Sequence, residues 1–275
     1  MPGLGYIGET AEGRAWIRAH SLAFDGRFLA AAGDARPVSF RGILPVEQQG
    51  QMGSCSGHMM ACAQQTLNYQ ETRAVVRPSR MLAYLLGQKF SGTFGEDHGG
   101  TIEGAVKGAM AYGNCLERDF PYPDHYVTEV PNEAISRAAG HKIGSHVSLS
   151  TFDGLLAWLR LQMGVGCVGI KWWESFAENR DGVLRASDYG RGRMLGGHAV
   201  PLLSETEQLD EQGRPFIDLR NSHGTEWGDG GWVKVEPALI EIWLRDGFTE
   251  LIGVTKQDPW SARRRIESWG RAVFG

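Results

Sequence analysis

The chain has 275 residues and a formal net charge of −4, with 42% apolar and 22% charged residues. This composition is typical of globular proteins and excludes intrinsic disorder as the general state. No long basic run indicates a nucleic-acid partner. The longest uncharged apolar stretch in the middle of the chain, at residues 161–170, is too short for a membrane span, which takes about 20 residues.

The N-terminus has no basic start followed by an apolar core, so the sequence shows no secretory signal. We therefore expect a cytoplasmic protein, with export by a signal-independent route or incorporation into a larger assembly left open. The cysteines are too few for a disulfide scaffold and lack the C-x-x-C spacing of metal sites, so we expect neither a metal nor another cofactor. They are Cys55, Cys62, Cys115 and Cys167.

The first half of the chain is predicted to be mainly helical. A polar, Gly- and Ala-rich segment at residues 1–36 contains a short predicted helix at 12–23. Apolar residues at three- and four-residue spacing predict a helix from Cys55 to about residue 71. Ser79 is expected to cap the next helix, and further helices are predicted at 102–112 and 151–163.

The second half changes to short β-rich runs separated by Gly, Asp and Asn turns. Helices do not alternate with these strands, which argues against a parallel doubly wound sheet. The predicted fold is α+β with two lobes, one helical and one an antiparallel sheet or barrel. A cleft between such lobes is a usual place for an active site. The predicted strands lie at residues 165–173, 198–206, 215–222, 230–237 and 251–256.

Cys55 stands where a glycine-rich turn becomes a predicted helix. At that position the free N–H groups and the positive end of the helix dipole stabilise the thiolate, which is the nucleophilic form. A single cysteine at a helix start is more often structural than catalytic, so the feature gains meaning only with partners elsewhere in the chain.

His198 and Asn221 are such partners. His198 follows two glycines at the start of a predicted strand, and Asn221 ends the next strand, before a loop rich in Gly and Trp. A cysteine nucleophile, a histidine base and an asparagine that orients the imidazole form a set used for acyl transfer. The other histidines without such surroundings are interpreted as ordinary: His58, His98, His141 and His146.

Four motifs over about residues 38–256 resemble the papain-like cysteine peptidase family. Their order matches the family, and His198 follows Cys55 by 143 residues (198 − 55), within the range of about 130–150 for papain-like enzymes. The motifs are Gln49-Gly50-x-x-Gly53-Ser54-Cys55, Gly99-Gly100 followed by FPYP at 120–123, His198-Ala199-Val200, and Asn221-Ser222 with Gly224, Trp227 and Gly228.

The resemblance implies a two-lobe fold with the cleft between the lobes and a cysteine endopeptidase without metal or cofactor. It assigns nucleophilic attack to Cys55, proton transfer to His198 and orientation of the imidazole to Asn221. The Gln49 side chain and the Cys55 backbone N–H are expected to form the oxyanion hole. The expected partner is an extended polypeptide substrate, neither nucleic acid nor a membrane, and the oligomeric state is left open.

The resemblance also assigns substrate binding. Gly100 is expected to pair with the substrate backbone, because a side chain there would block its approach. Thr101, Ile102 and Ala199 are expected to line the pocket for the residue second from the cleaved bond, which predicts a medium aliphatic preference. Trp172 and Trp173 are interpreted as residues that pack between the lobes. The full substrate-binding set is Gly99, Gly100, Thr101, Ile102, Ala199 and Trp227.

Three features depart from the family pattern. Ser56 follows the nucleophile where the family has an aromatic residue, and His223 replaces the tryptophan that shields the His–Asn hydrogen bond. Met52 stands in place of a disulfide-bonded cysteine, whose partner near the Gly-Gly loop is also absent, with Asp97 nearby. Loss of both cysteines fits a reducing compartment, and we expect four free thiols.

Three parts of the chain are expected: an N-terminal segment at 1–36, a catalytic domain at 37–256 and a C-terminal extension at 257–275. The N-terminal segment is too short to fold as an independent inhibitory domain. It can dock on the body or lie in the cleft as a plug. Its predicted helix, with apolar Trp16 and Ile17, favours docking away from Cys55.

Two alternatives to an endopeptidase stay open from the sequence. One is an acyl transferase on the same three residues, which would pass the thioester to an amine rather than to water. The other is a catalytically silent member of the family that serves as a structural or binding module. Retention of Gln49 with the Cys–His–Asn set argues against the silent module.

Overall fold

The structure, a computed structural model, describes residues 3–21, 24, 26–32 and 39–256. The predicted C-terminal extension lies outside the described residues. The helices are α1 (Ala11–His20), α2 (Leu29–Ala32), α3 (Cys55–Thr72), α4 (Arg80–Ser91), α5 (Ile102–Ala111), α6 (Asn132–Ala138), α7 (Phe152–Arg160), α8 (Glu174–Ala177) and α9 (Pro237–Arg245). The strands are β1 (Ser145–Ser148), β2 (Val165–Trp173), β3 (Val183–Leu184), β4 (Met194–Leu209), β5 (Pro215–Arg220), β6 (Trp232–Val235) and β7 (Glu250–Thr255).

Helices begin where the sequence predicts caps. Cys55 is the first residue of α3, as expected. Ser79 Oγ accepts a hydrogen bond from Leu82 N–H at the start of α4, and Thr151 Oγ1 accepts one from Gly154 N–H at the start of α7. These bonds satisfy N–H groups that have no partner within the helix, which fixes where each helix starts.

The strands form one sheet in the order β1-β7-β2-β4-β5-β6-β3. Apart from β3, which pairs parallel to β6, neighbouring strands run antiparallel. The prediction of an α+β fold with a helical lobe and an antiparallel lobe is confirmed. Six elements have no counterpart among those predicted from the sequence: α2, α6, α8, α9, β1 and β3.

Helix α3 packs on one face of the sheet, against β2 and β4, and is buried over most of its length. Successive residues of β2 point to opposite faces, so Cys167 joins the apolar cluster around α3 while Val168 joins the cluster on the other side. That second cluster contains Trp158 of α7 and Trp243 of α9. The start of α3 therefore meets the sheet at β4, where the cleft lies.

No helix within the described part of the chain is both long and apolar enough to span a bilayer.

Candidate active site

Cys55 is fully buried where the start of α3 meets β4. The backbone N–H of Ala199 in β4 donates a hydrogen bond to Cys55 Sγ at 3.4 Å. Burial raises the pKa of the thiol, and backbone hydrogen bonds from Ala199 and Gly5 oppose that shift. The sulfur therefore lies in surroundings that favour the neutral thiol.

His198 in β4 and Asn221, which directly follows β5, are joined by a hydrogen bond of 2.7 Å between His198 Nε2 and Asn221 Oδ1. Asn221 Oδ1 also accepts from the backbone N–H of Ser222 at 2.8 Å, which fixes the amide orientation. Because Oδ1 is an acceptor, Nε2 carries the hydrogen of the neutral ring. The buried Nδ1, which has no hydrogen-bond partner, is then the basic nitrogen.

The pKa of His198 is lowered to about 4 by burial, against the opposing effect of its hydrogen bond to Asn221. The imidazole is therefore neutral at pH 7 in this state, as the thiol of Cys55 is. In the covered site, burial thus favours two neutral groups over a thiolate beside an imidazolium.

Gln49 is buried and held through its amide oxygen, which accepts from Ser222 Oγ at 2.5 Å. This leaves Nε2 to donate to two carbonyl oxygens, that of Met52 at 2.9 Å and that of Gly3 at 2.8 Å. Gly3 belongs to the N-terminal end of the chain. The residue predicted to donate to an oxyanion thus holds a carbonyl oxygen of another polypeptide segment.

Residues 3–9, here called the cleft segment, cross the site. Gly100 pairs with this segment, in a bridge to Tyr6. Backbone pairing at Gly100 is what the sequence predicts for a substrate, but here the partner is the protein's own N-terminal end. Four backbone hydrogen bonds hold it: Gly3 N–H to Gly50 O (2.8 Å), Tyr6 N–H to Gly197 O (3.1 Å), Gly100 N–H to Gly5 O (2.8 Å) and Ile7 N–H to Gly100 O (3.4 Å).

Glycine is required at this crossing. A Cβ added to Gly5 would lie 1.6 Å from Gly53 O, and one added to Gly99 would lie 1.9 Å from Gly5 O. A Cβ added to Gly3 would lie 2.1 Å from Met52 O. All three contacts are with backbone atoms, which cannot rotate away. The cleft segment and the body approach this closely only because glycines lack these side chains.

The expectation that the N-terminal segment docks away from Cys55 is wrong for residues 3–9. It is right for α1, where Ile17 is fully buried and Trp16 stacks on His146 of β1 with ring centroids 5.0 Å apart. That expectation rests on the apolar side chains of the predicted helix. In the cleft, backbone hydrogen bonds and close glycine contacts hold the segment instead.

Tyr6 supplies the aromatic side chain that the cleft segment inserts into the body. Its ring is 3% exposed and packs edge-on against Phe248 with centroids 5.3 Å apart. Its hydroxyl donates to Phe248 O at 3.4 Å. A Cβ at Gly169 would lie 2.2 Å from the tyrosine ring, so glycine at that position provides the space.

The structure places the expected pocket residues in two settings. Ile102 and Ala199 belong to the same apolar cluster as Tyr6. Thr101 instead caps α5, with Oγ1 accepting from Gly104 N–H. The Tyr6 ring lies in the cluster to which Ile102 and Ala199 belong, so the predicted preference for a medium aliphatic side chain stays a prediction. Only the fold brings Gly169 of β2 to this pocket, so its role is not visible in the sequence.

Glu9 fixes the end of the cleft segment to the body. Its Oε1 accepts from the backbone N–H groups of Ile102 (2.6 Å) and Glu103 (3.2 Å) at the start of α5. Burial raises the pKa of Glu9 to about 7, against the opposing effect of these hydrogen bonds, and the nearby Glu103 raises it further. The second carboxyl oxygen is buried without a partner. No sequence motif indicates this contact.

Aromatic rings pack around His198. His223 stacks on His198 with centroids 4.6 Å apart, and Trp172 contacts His198 at 4.6 Å and His223 at 5.5 Å. Trp227, expected to bind substrate, packs on Trp172. Burial lowers the pKa of His223 to about 2, so that ring is neutral. The interpretation of Trp172 as lobe packing missed its contact with the histidines.

Asp97 ties the two loops beside the cleft. Both carboxylate oxygens accept from Gly53 N–H at 3.0 Å, and Oδ1 accepts from Tyr84 OH at 2.6 Å. The Tyr84 oxygen also accepts from Gly99 N–H at 3.0 Å. Hydrogen bonds thus join the loop before the nucleophile to the Gly99 loop, where the resemblance places a disulfide. All four cysteines are free.

Among the described residues, no group of three or more His, Cys, Asp or Glu side chains is placed to hold a metal ion.

A buried cysteine at a helix start, an imidazole held by an asparagine amide and a two-lobe α+β fold define the class of cysteine hydrolases. Residues 29–241 match the model of the papain family cysteine proteases. The chain belongs to this family and is a cysteine peptidase, as the sequence motifs predict. A search of curated protein sequences finds no match.

Solved structures of cysteine proteases share the fold. Xylellain from Xylella fastidiosa superposes with a TM-score of 0.74 at 22% identity, covering 93% of this chain and 97% of that one. The ragweed pollen allergen Amb a 11, in its proform, gives 0.64 at 18% identity over 94% and 83% of the two chains. CMS1MS2 of Carica candamarcensis, in complex with E-64, gives 0.60 at 20% identity over 81% and 99%.

Proposed function

We propose that the chain is a cysteine endopeptidase held latent by its own cleft segment. Cys55 is the nucleophile, His198 the general base and acid, Asn221 the residue that orients the imidazole, and Gln49 an oxyanion donor. The observation that carries this proposal is the hydrogen bond of 2.8 Å from Gln49 Nε2 to Gly3 O. A peptide carbonyl in the cleft binds to the amide that would stabilise the negative oxygen of a tetrahedral intermediate.

The reaction follows from the positions of the hydrogen atoms. His198 Nδ1 takes the thiol proton, and Cys55 Sγ attacks the substrate carbonyl carbon, whose oxygen becomes negative and binds to Gln49 Nε2 and the Cys55 N–H. Nδ1 then gives the proton to the leaving amine, which leaves a thioester on Cys55. Water, deprotonated by the same nitrogen, hydrolyses the thioester and restores the thiol.

The direction of the cleft segment supports latency. In the substrate position that the family resemblance implies, the carbonyl at Gln49 belongs to the scissile bond, and earlier residues extend toward Gly100. Here Gly3 lies at Gln49, and the later residue Tyr6 lies at Gly100. The segment therefore occupies the substrate site in the reverse direction, in which its carbonyl does not present the bond that the site cleaves.

The burial of the site supports the same conclusion. Cys55 and His198 are both fully buried in the presence of the segment, and burial favours the neutral form of each. Release of the segment would admit water and substrate and allow the thiolate–imidazolium pair to form. On this account residues 1–36 are regulatory, residues 37–256 form the catalytic domain, and the substrate is an extended polypeptide.

The test uses the full-length chain with Gly5→Ala, which displaces the segment, and a mixture of peptides. We expect hydrolysis that Cys55→Ala abolishes and that Gln49→Ala reduces by about 10²–10³-fold, the usual effect of losing one oxyanion donor. Cys62→Ala, which removes the next cysteine of α3, is the matched control and should retain activity.

The products separate the alternatives. Hydrolysis with an unchanged yield of acid in the presence of an added amine supports a peptidase. Products formed mainly with the amine would instead indicate an acyl transferase. If neither product forms and Cys55 does not react with a thiol-reactive peptide probe, the proposal is overturned. The catalytically silent module is then the remaining alternative.

A further inference from the structure

Trp172 is the largest side chain in contact with the proposed general base. It is 1% exposed, near the end of β2, and its ring centroid lies 4.6 Å from that of His198. A register shift in the β2–β4 pairing falls between Trp172 and Trp173. Trp173 packs on Tyr189 instead, with centroids 5.5 Å apart. The two adjacent indoles therefore have different surroundings, and Trp172 is the one that reaches the histidines.

A cavity of about 200 Å³ lies on the other side of Trp172. Its lining includes Trp172, His223, Trp227 and Leu4, whereas His198 does not line it. Trp172 and His223 thus form the wall between this cavity and His198. His223 is a small, neutral ring whose buried Nε2 has no partner, so the indole supplies most of the apolar surface in that wall.

We propose that Trp172 is a positioning residue whose indole keeps water away from the His198–Asn221 hydrogen bond. The proposal rests on the roles proposed above for Cys55, His198 and Asn221. A hydrogen bond in apolar surroundings is electrostatically stronger than one in contact with water, because water lowers the field and offers competing partners. With the indole in place, the imidazole keeps a single orientation, with Nδ1 free for the thiol.

The same shielding strengthens the thiolate–imidazolium pair once the segment has left. Two opposite charges attract more strongly where water is excluded. If water enters beside His198, the thiolate forms only at higher pH and the imidazolium loses its proton at lower pH. The two apparent pKa values belong to the coupled pair, so the pH profile should narrow from both sides.

The experiment compares Trp172→Ala with Trp173→Ala in the full-length Gly5→Ala chain. For each variant, the rate of Cys55 alkylation by iodoacetamide and the kcat/KM for a peptide are measured against pH. We expect Trp172→Ala to narrow both profiles and to lower kcat/KM at the optimum by about tenfold, the effect of weakening one hydrogen bond. Trp173→Ala should leave the profiles unchanged.

Two further variants guard against a simple loss of fold. Trp172→Phe retains a ring at the contact and should narrow the profiles less than Trp172→Ala. Trp172→Ala combined with His223→Trp places an indole on the stacked position and should widen them again. Because alkylation needs no peptide turnover, it reports on the shielding even if the protein proves not to hydrolyse peptides.

The proposal is overturned if every folded variant at position 172 keeps the acidic and basic limbs of both pH profiles unchanged. Equal narrowing in Trp173→Ala would also overturn it, because the effect would then be one of general packing. The proposal is supported if the pH profiles are narrow in Trp172→Ala and unchanged in Trp173→Ala. The added His223→Trp substitution should then widen the profiles of Trp172→Ala again.

Discussion

At the scale of single residues, the site depends on glycines, which lack a side chain, as much as on residues with chemically reactive groups. The motifs predict roles for Cys55, His198, Asn221 and Gln49, because each of these residues comes with characteristic neighbours in the sequence. Gly5 has no such neighbours, yet a Cβ there would lie 1.6 Å from a backbone oxygen. Its role depends on a contact with a loop almost fifty residues away, which no local pattern encodes.

Asp97 illustrates a residue whose importance the sequence only suggested. The carboxylate joins Gly53 N–H and Tyr84 OH, beside the nucleophile loop. We expect Asp97→Ala to lower the free energy of unfolding by about 1.5–3 kcal/mol, the range for hydrogen bonds to a charged group. It should also lower kcat/KM, because the loop before Cys55 loses its connection to the Gly99 loop. Denaturant unfolding and peptide kinetics measure the two effects.

Glu96→Ala is the matched control for this prediction. Glu96 is an acidic neighbour in the same loop, and its exposed carboxylate pairs with the exposed His98. We expect almost no change in stability or kinetics from its removal, as for most exposed pairs. If both variants behaved alike, the contact between Asp97 and Gly53 would not hold the loop.

At the scale of elements, the N-terminal segment acts in two pieces. Helix α1 docks through apolar side chains, as its sequence pattern predicts, and the cleft segment docks through backbone hydrogen bonds. Glu9, the last residue of the cleft segment, lies at the N-terminus of α5. A helix N-terminus attracts a negative charge, but burial opposes it, and the raised pKa shows which effect is larger.

The raised pKa of Glu9 predicts that docking depends on pH. The value changes from 4.5 to about 7 on burial, so the docked state binds the proton more tightly. Docking is therefore strongest below pH 4.5 and weakens as the pH rises to 7, by about 3 kcal/mol in total. The groups around Glu9 are Glu103 and Lys107 of α5, Arg14 of α1, Glu250 of β7 and Tyr6.

Glu9→Gln removes this titration and nearly preserves the shape of the side chain. The rate of Cys55 labelling by a neutral thiol probe is measured in both proteins, and the wild-type rate is divided by the Glu9→Gln rate at each pH. The division removes the ionisation of Cys55 itself. We expect the ratio to rise on the order of 10–100-fold between pH 4.5 and 7. A constant ratio would show that Glu9 does not control docking.

At the scale of the whole molecule, the order of elements made the fold predictable. Helices cluster in the first half and β-rich runs in the second, and the run at residues 165–173 coincides with strand β2. The sequence does not predict helix α9, because its first residue, Pro237, falls within the run at residues 230–237 that is predicted as a strand. The path of residues 3–9 was also missed, because glycine-rich segments show no periodicity until the surface they cross is known.

The central claim is that the cleft segment covers a competent nucleophile. The most direct test is the rate at which a thiol-reactive peptide probe labels Cys55 at about pH 5.5, where Glu9 is mostly protonated and docking is firm. The full-length chain is compared with Gly5→Ala, which displaces the segment, and with Gly140→Ala, where an added Cβ meets only open space. We expect labelling of Gly5→Ala to be faster by about a hundredfold, as for a covered state populated about 99:1. Gly140→Ala should match the wild type. Equal labelling of all three proteins would contradict the account.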